Sequence, residues 1–522
     1  MGKYWGKYKG HLLVVSLFAF LIHSSKINSV IIGIDTESLI HRQGDLYDGW
    51  LNTGRQGLVL LKYLTGSALF NPYFAGVMTL VFLTAGTVSF LLLWDRVSGG
   101  DSRLAWAGCA LLWIAHPVLV EQFYFSLQSV EICMGVLLMA LALWLVYEAN
   151  ERGKRLCYVF SGVLLLLGFS LYQIFVVMFI FGAVTLLLLQ TLSGEKRDGG
   201  VLSVLRQMCP YVCVFFASFL CNSVITKLFF SESDYLSSQV KWGSASLRDC
   251  LYNIAIHVRN VLTGRDSIFY SGFFGVLFLF GLVMVFFLVG RYGLRLLFYY
   301  LSLMTTPFLM TVVCGDVPAV RSQLILPVLT GFLAYLDAGL LTRVFALGEG
   351  EGGKSAGKGT KRGGVQERLR MTLAIIWLAL CVVCGIAEAQ MSLRLYYTDA
   401  CRYAQDAALG RELIRELEPL IGEDDTPVIV LGSRSFHGNN ACVQGEIIGR
   451  SVFEHDVEED PRFYWSTRRV IGFLHTLGYD CEQLPDKNIP YAMDFAEDMG
   501  VWPGKHSVEH AGDMIVIKLC EF

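Results

Sequence analysis

The sequence predicts a mainly α-helical, polytopic membrane protein with about eleven transmembrane helices and a small extracytoplasmic α/β domain at the C-terminal end. Hydrophobic residues make up 54% of the 522 residues and charged residues only 17%, and the mean hydropathy is +0.51. A chain this apolar exposes more hydrophobic surface than a water-soluble fold can bury, so a bilayer is needed to cover the rest. The formal net charge of -3 gives no reason to expect nucleic acid as a partner.

Apolar segments of helical length recur along the chain until about residue 390. Each is close to the roughly 20 residues that cross a hydrocarbon core as a helix. Tyr172 and Gln173 interrupt an apolar run that is too long for one helix, so this run is divided into two spans. The predicted spans cover residues 10–28, 73–94, 104–120, 131–148, 156–172, 174–192, 209–228, 270–290, 296–314, 323–341 and 371–388.

Lysine and arginine residues concentrate in the short connections on one side of this predicted bundle. Lys3, Lys7 and Lys9 precede the first span, and the cluster Lys354–Arg370 precedes the last. Positively charged loops tend to stay in the cytoplasm, so we expect a multi-pass protein of the cell membrane with a cytoplasmic N-terminus. The first span has no clear cleavage site and is predicted to remain as an anchor. Eleven spans then place the C-terminus outside the cytoplasm.

Two domains are predicted, a transmembrane domain over residues 1–390 and an extracytoplasmic α/β domain over residues 391–522. In the second domain, "TPVIVLGS" and "GDMIVIKL" are typical of strands, whereas "TRRVIGFLHTLG" has helical periodicity. Outside the cytoplasm, its cysteines can form one or two disulfides. These cysteines are Cys401, Cys442, Cys481 and Cys520.

Residues 343–370 are predicted to form a flexible cytoplasmic linker within the first domain. Within this linker, "GEGEGGKS" matches the letters of a phosphate-binding P-loop. That motif binds a nucleotide only between a strand and a helix of a nucleotide-binding domain. The segment instead lies in a Gly/Lys-rich stretch between two predicted membrane helices, where the composition favours a flexible chain.

The first predicted outer loop, Ser29–Gly57, carries two acids at a spacing of two residues, Asp35 and Glu37. The preceding "VIIGID" favours an extended chain, in which side chains two residues apart face the same way. Two converging carboxylates suit a general base with a supporting partner, or ligands of a divalent cation. The alternative is a loop that is simply polar and solvated.

Arg55 ends this outer loop and precedes the apolar run "QGLVLLKYLTGSALF". That run fits a helix lying in the outer membrane interface better than another span. A guanidinium at its start offers a planar fork of donors for a phosphate, or else an anchor to lipid headgroups.

Several motifs, taken in order, resemble the Gtr-type (type II) bacterial O-antigen glucosyltransferase family, whose members are GT-C-like membrane enzymes. These motifs are "GIDTES", "GWLNTGRQGLVLLKYL", "HPVLVEQFYFSLQSVEI", "FSLYQ" and the closing "MGVWPGKHSVEHAGDMIVIKL". The resemblance covers the whole chain. Thr36 separates Asp35 from Glu37, whereas the family usually has adjacent acids, so it stays open which carboxylate takes the principal role.

This resemblance implies a glycosyltransferase that moves a sugar, glucose in the named family, from a polyprenyl-phosphate donor to a polysaccharide on the outer face. A single displacement at the anomeric carbon would invert its configuration. The expected partners are the bilayer, the lipid-linked sugar, the surface polysaccharide, a small flippase and a donor synthase. Asp35 is the expected base, Glu37 its partner and Arg55 the leading phosphate contact.

Four further residues are candidates for binding the donor phosphate or the substrate. Glu121 closes an apolar span and is alternatively a solvated helix cap. Tyr172 and Gln173 lie between two spans and are alternatively a polar turn. Arg321, in "CGDVPAVRSQ", alternatively pairs with Asp316.

Two other classes of protein compete with the enzyme. A lipid or saccharide transporter, or a flippase, typically carries charged residues within its spans and has internal repeats. Here the middle of the spans is nearly free of charge and no internal repeat is found. A non-catalytic envelope assembly protein predicts that replacing Asp35 leaves the glycan composition untouched.

Overall fold

The computed structural model of the protein describes residues 2–99, 103–194, 201–230, 238–352, 362–421, 426–454 and 465–521. Within these ranges the protein is mainly helical. The helices are Gly2–His23, Ser25–Asn28, Thr36–His41, Gln43–Asn52, Gln56–Thr65, Pro72–Ser98, Arg103–Ile114, Pro117–Tyr124, Ser129–Arg152, Leu156–Phe169, Ile174–Ser193, Val201–Phe229, Leu247–Thr263, Gly272–Tyr292, Leu294–Thr305, Leu309–Cys314, Ile325–Gly352, Arg362–Leu417, Trp465–Thr476 and Ile489–Glu497. Short 3-10 turns cover Thr306–Phe308, Val320–Ser322 and Asp486–Asn488.

Among the described residues, eight helices are long and apolar enough to cross a membrane. They are Pro72–Ser98, Ser129–Arg152, Ile174–Ser193, Leu202–Phe229, Gly272–Tyr292, Leu294–Cys314, Ile325–Phe345 and Arg368–Leu417. A ninth span results if the pair Leu104–Ile114 and Pro117–Tyr124, bent by 44°, is counted as one. The chain is therefore a membrane protein.

The prediction of eleven spans is not confirmed, because two of the predicted spans are not among the helices that are long and apolar enough to cross a membrane. The first predicted span lies in the helix Gly2–His23, whose apolar part Tyr8–His23 has fewer than 18 residues. The fifth predicted span forms the helix Leu156–Phe169, which also has fewer than 18 residues. The 14 residues of Leu156–Phe169 rise about 21 Å, less than the roughly 30 Å of a hydrocarbon core. Apolar composition identified both segments as helical, but it overestimated the length of the helix that begins at Leu156.

The bend between Leu104–Ile114 and Pro117–Tyr124 has a local cause. Pro117 has no backbone N–H to continue the first helix, and proline drives the residue before it towards an extended conformation. His116 adopts that conformation, with φ -63° and ψ 127°, and its Nδ1 accepts the N–H of Val118 at 3.3 Å to begin the second helix.

Small residues bring the membrane helices close together. A Cβ atom on Gly135 would lie 2.1 Å from the ring of Phe175, and one on Gly182 would lie 2.1 Å from the side chain of Leu143. Both contacts join Ser129–Arg152 to Ile174–Ser193, since each glycine lies on one of these helices and faces the other. Close approach through small residues is a usual way for membrane helices to pack.

The last predicted span, residues 371–388, does not form a separate helix. It is part of one continuous helix of 56 residues, Arg362–Leu417, which extends into the C-terminal region. The boundary predicted near residue 390 therefore falls inside a helix. The sequence from 386 to 409 contains neither proline nor glycine and is rich in alanine, leucine and arginine, which favour helix. Nothing in its local chemistry ends the helix at the predicted boundary.

The C-terminal region contains a three-stranded sheet, formed by β1 (Val428–Leu431), β2 (Val508–Ala511) and β3 (Met514–Lys518). The strand order is β1-β3-β2, with β1 parallel and β2 antiparallel to β3. The helix Trp465–Thr476 covers one face through Val470, Phe473 and Leu474. Ile489–Glu497 covers the other through its alanines. Helices therefore cover both faces of this small sheet.

The structure differs from the sequence predictions for the linker over residues 343–370 and for the disulfides of the C-terminal region. The helices Ile325–Gly352 and Arg362–Leu417 extend into both ends of the linker predicted over residues 343–370. Residues 353–361, which include the end of the P-loop-like segment, lie outside the described residues. All fourteen cysteines are free, so none of the four in the C-terminal region forms a disulfide.

Candidate active site

A cavity of about 1430 Å³ lies where the outer loop, the start of the helix Ile174–Ser193 and the C-terminal region meet. Its described lining carries five cationic side chains and two carboxylates. They are Arg55, Lys241, Arg321, Arg450, Arg469, Asp35 and Asp316. This excess of positive charge in a concave site attracts an anionic ligand. Five of the seven predicted site residues line the cavity, namely Asp35, Arg55, Tyr172, Gln173 and Arg321.

The cavity lining also includes many apolar side chains. They are contributed mainly by Ile174–Ser193 and Leu309–Cys314, through Val176, Val177, Ile180, Leu309, Met310 and Val313. Basic and apolar side chains therefore line the same cavity. A ligand that combines an anionic group with an apolar chain matches both kinds of side chain.

One arginine joins the two predicted acids. Arg469 Nη1 lies 3.1 Å from Asp35 Oδ1 and 3.1 Å from Glu37 Oε1. The Asp35 side chain is 38% exposed and lines the cavity, whereas the Glu37 side chain is fully buried and does not. Of the two acids, Asp35 is thus the one that reaches the cavity, whereas Glu37 does not line it.

The carboxylates of Asp35 and Glu37 both reach Arg469, but the chain between them is not extended as predicted. Asp35 adopts a left-handed conformation with φ 64°, and a helix begins at the next residue, Thr36. The turn at Asp35, rather than the alternation of a strand, brings both carboxylates to Arg469. A left-handed non-glycine residue costs on the order of 1–3 kcal/mol and persists only where its surroundings hold it.

Burial changes the ionisation of Glu37. The pKa of Glu37 is raised to about 7, mainly because burial removes the carboxyl from water; the charge of Arg469 lowers the pKa and the charge of Asp35 raises it. Glu37 Oε2 has no hydrogen-bond partner among the described residues. Glu37 therefore changes charge near neutral pH beside the carboxylate that faces the cavity.

Arg55 is held between the outer loop and the turn before Ile174–Ser193. Its guanidinium carbon lies 4.7 Å from the centre of the Tyr172 ring, within the range of a cation–π contact. The neighbouring Gln173 donates from Nε2 to the carbonyl oxygen of Thr53 at 3.0 Å. Arg55 Nε is buried and has no acceptor within the part of the chain that the structure describes. A ligand oxygen in the cavity would satisfy this donor.

Tyr172 also fixes the segment that carries Arg321. Its hydroxyl lies 2.7 Å from Ser322 Oγ. The guanidinium of Arg321 lies 4.6 Å from the centre of the Phe125 ring. Both arginines of the predicted site therefore make cation–π contacts with aromatic rings at the cavity wall.

The prediction that Glu121 binds substrate is not supported, because Glu121 does not line the cavity. It is fully buried, and its Oε1 accepts backbone N–H groups of Ile447 and Ile448, at 2.5 Å and 3.4 Å. Ile447 lines the cavity, so Glu121 supports one wall from behind. Neither the predicted contact nor its alternative, a solvated helix cap, describes this role.

The family described as glucosyl transferase GtrII matches residues 25–336, which is more than half of the chain. The chain belongs to this family. The match begins before the outer loop and includes Asp35, Glu37, Arg55, Tyr172 and Arg321. No match was found among curated proteins or solved structures.

Three cationic residues of this glucosyltransferase were missed by sequence reasoning, namely Lys241, Arg450 and Arg469. Arg469 belongs to the "TRR" that begins the predicted helix of the C-terminal region, so the sequence did place it on the same side as the outer loop. Its contact with Asp35 spans more than 400 residues and leaves no local signal. Arg450 and Lys241 lie in irregular segments, which have no periodicity to place them.

Within the described residues, no group of three or more histidine, cysteine, aspartate and glutamate side chains is placed to hold a metal ion. The two carboxylates that were considered as ligands share Arg469 instead. The positive charge between them therefore comes from the chain itself.

Proposed function

We propose that this glucosyltransferase moves a glucosyl group from a polyprenyl phosphate to a hydroxyl of a cell-surface polysaccharide, on the outer face of the cell membrane. The observation that carries the proposal is a single cavity lined by one partly exposed carboxylate, Asp35, by several cationic side chains and by apolar side chains. A hydroxyl nucleophile needs a base, a departing phosphate needs cations, and a prenyl chain needs hydrocarbon. The cavity offers all three.

The donor phosphate would bind at Arg55 and Arg321. Both guanidinium groups make cation–π contacts with aromatic rings, which limit their freedom before the ligand arrives. The unsatisfied Nε of Arg55 supports a role in accepting a phosphate oxygen. Lys241 and Arg450 add charge on other walls of the same cavity. Cations placed in advance stabilise the negative charge that develops on the leaving phosphate.

In the reaction, the acceptor hydroxyl would give its proton to Asp35 while its oxygen forms a bond to the anomeric carbon. The bond from that carbon to the phosphate oxygen breaks, and polyprenyl phosphate leaves with the electron pair. One displacement of this kind inverts the anomeric configuration. Glu37 would act through Arg469, because ionised Glu37 draws the guanidinium away from Asp35. The role of the acids as ligands of a divalent cation has less support, because Arg469 already lies between them.

The proposed site requires the cavity to open on the outer side of the membrane, with the N-terminus in the cytoplasm. The distribution of lysine and arginine among the short loops supports this orientation. A donor on the outer face must be made inside and moved across the bilayer, so a donor synthase and a small flippase are the expected partners.

The proposal is tested with purified protein in lipid nanodiscs, polyprenyl-phosphate glucose and the surface polysaccharide as acceptor. We expect transfer from the lipid-linked donor, no transfer from a nucleotide-linked glucose, and an inverted anomeric centre by NMR. Transfer from the nucleotide donor, or retention of configuration, would contradict the proposal. The Asp48→Asn variant is the matched control, because Asp48 is an exposed acid of the same loop that does not line the cavity.

A further inference from the structure

The long helix Arg362–Leu417 carries a buried charge cluster that the proposed reaction does not use. Arg402 is fully buried and donates from Nη2 to Asp399 Oδ1 at 2.6 Å and from Nη1 to Asp406 Oδ2 at 3.1 Å. Buried ion pairs are a weak source of stability, because desolvation consumes most of the attraction. The further contacts of Arg402 and Asp406 indicate a role besides stability.

Arg402 also holds the chain that leads to Asp35. Its Nη1 donates to the carbonyl oxygen of Ile32 at 3.0 Å. This contact joins residues separated by 370 positions in the sequence, and it lies three residues before the acid that faces the cavity.

Tyr124 holds the next two residues. Its hydroxyl accepts the backbone N–H of Ile34 at 3.1 Å. Its ring packs so closely on Gly33 that a Cβ atom there would lie 2.5 Å from Tyr124 Cζ. The guanidinium of Arg402 in turn lies 5.6 Å from the centre of the Tyr124 ring. Three consecutive residues before Asp35 are thus fixed by two side chains that touch each other.

Asp35 needs such support because of its own backbone. Its φ of 64° is in the left-handed region, which non-glycine residues adopt only when their surroundings hold them. Arg469 holds the carboxylate from one side. Arg402 and Tyr124 hold the preceding backbone from the other.

The same cluster reaches a second wall of the cavity. Asp406 accepts from Ser451 Oγ at 2.6 Å and from the backbone N–H of Val452 at 3.0 Å. These residues directly follow Arg450, which lines the cavity. One cluster therefore supports both the acid and one of the cations.

We propose that Arg402 and Tyr124 are positioning residues that set the carboxylate of Asp35 towards the acceptor, and that Asp406 sets Arg450 through the same cluster. The inference rests on the proposed function, since it assigns the acceptor proton to Asp35. A displacement of about 1 Å at a reacting group is enough to cost about a hundredfold in rate. The loss appears in kcat rather than in donor binding, because the phosphate contacts at Arg55 and Arg321 remain.

Two variants test the inference. Tyr124→Phe removes only the hydroxyl and keeps the ring on Gly33, while Arg402→Lys keeps the charge and removes the fork that reaches both Ile32 and the two acids. We expect kcat to fall by about tenfold or more in each variant, with the donor KM within about threefold of wild type. If Arg402→Lys does not fold, Tyr124→Phe carries the test.

Leu484→Ala is the control for lost stability. Leu484 is buried on the sheet face covered by Ile489–Glu497, away from the cavity. Its truncation opens a hole and lowers the melting temperature, but it should leave kcat within about twofold of wild type. An equal loss of kcat in Leu484→Ala would show that the positioning variants act through general destabilisation and would overturn the inference.

A double-mutant comparison separates this inference from the proposed function. In an Asp35→Asn background, adding Tyr124→Phe should cause no further loss, because both changes act on the same proton transfer. The inference is overturned if Tyr124→Phe lowers kcat in the Asp35→Asn background by the same factor as in wild type. It is also overturned if both positioning variants fold and keep the wild-type kcat. Either result leaves Asp35 as the base. Wild-type kcat in Asp35→Asn alone would instead overturn the proposed base.

Discussion

At the scale of single residues, Asp35 and Glu37 differ in environment although only Thr36 separates them. Asp35 is partly exposed to the cavity, whereas Glu37 is fully buried and shares Arg469 with it. The sequence predicted that both acids belong to one site. It did not predict which of them reaches the cavity, because the turn at Asp35 and the arginine from the C-terminal region are tertiary features.

The buried Glu37 predicts a pH dependence of activity. Its pKa is raised to about 7 by burial, so activity should rise with pH through about 7 as Glu37 ionises. Below that pH, protonated Glu37 leaves Arg469 to pair with Asp35 alone, which shields the base from the acceptor. Glu37→Gln should remove this rise in a pH profile of kcat, whereas Asp48→Asn should keep it. A profile that is unchanged in Glu37→Gln would contradict the assignment.

The same group predicts a change in the stability of the protein with pH. The folded protein holds a proton on Glu37 more tightly than the unfolded chain, whose ordinary pKa is 4.5. The contribution of this group to the free energy of unfolding is therefore greatest below pH 4.5 and falls as the pH rises to about 7. The melting temperature of Glu37→Gln should decline less than that of wild type over this interval. An equal decline in both proteins would show that Glu37 is not the group responsible.

Arg55 predicts a different kinetic effect from that of the acids. Replacing it by glutamine removes a cation and the unsatisfied Nε from the cavity wall, so the donor KM should rise by about tenfold or more. The control is Arg259→Gln, since Arg259 forms an exposed ion pair with Asp266 and does not line the cavity. An unchanged donor KM in Arg55→Gln, measured with polyprenyl-phosphate glucose, would remove Arg55 from the phosphate site.

At the scale of elements, the positions of the helices were largely predictable and their lengths were not. Each span predicted from apolar composition overlaps a described helix or the bent pair. The 14 residues of Leu156–Phe169 are too few to cross a hydrocarbon core, and Arg362–Leu417 continues far beyond one. Hydropathy reports where a helix is apolar, whereas its ends depend on tertiary contacts and on the chemistry of capping residues.

The short helix Gln56–Thr65 depends on one glycine. Gly57 donates its N–H to the carbonyl oxygen of Ser170 at 3.0 Å, and a Cβ atom there would lie 2.1 Å from Ser170 Oγ. Gly57→Ala should therefore lower the free energy of unfolding by about 1–3 kcal/mol through overpacking. Because this helix carries Arg55 at its start, the variant should also raise the donor KM.

Gly44→Ala is the matched control, because Gly44 is also helical and a Cβ atom there would have no neighbour within 4 Å. Alanine at such a site stabilises a helix by up to about 1 kcal/mol. Thermal unfolding in detergent distinguishes the two variants. Equal melting temperatures for Gly57→Ala and Gly44→Ala would contradict the close packing at Ser170.

At the scale of the whole molecule, the site joins parts that are distant in the sequence. The outer loop supplies Asp35 and Arg55, the segment before Ile325–Gly352 supplies Arg321, and the C-terminal region supplies Arg450 and Arg469. The sequence placed these parts on one side of the membrane through the distribution of positive charge. It could not pair individual side chains, since that requires the packing of the helices between them.

The proposed orientation predicts the behaviour of two reporter fusions. Alkaline phosphatase, which is active only outside the cytoplasm, should be active when fused after the last residue and inactive when fused at Gly153. Gly153 ends a span beside Arg152, Lys154 and Arg155, which favour the cytoplasm. The opposite pattern of activities would place the cavity on the inner side and would contradict an acceptor on the cell surface.

The turnover of Asp35→Asn tests the central claim most directly. The measurement is single-turnover transfer of glucose from polyprenyl-phosphate glucose in nanodiscs, beside wild type and Asp48→Asn. Loss of a general base predicts a fall of about 10²–10⁴-fold in the rate of transfer for Asp35→Asn, with donor affinity and melting temperature close to wild type. Transfer by Asp35→Asn at the rate of Asp48→Asn would show that the proton goes elsewhere and would contradict the account.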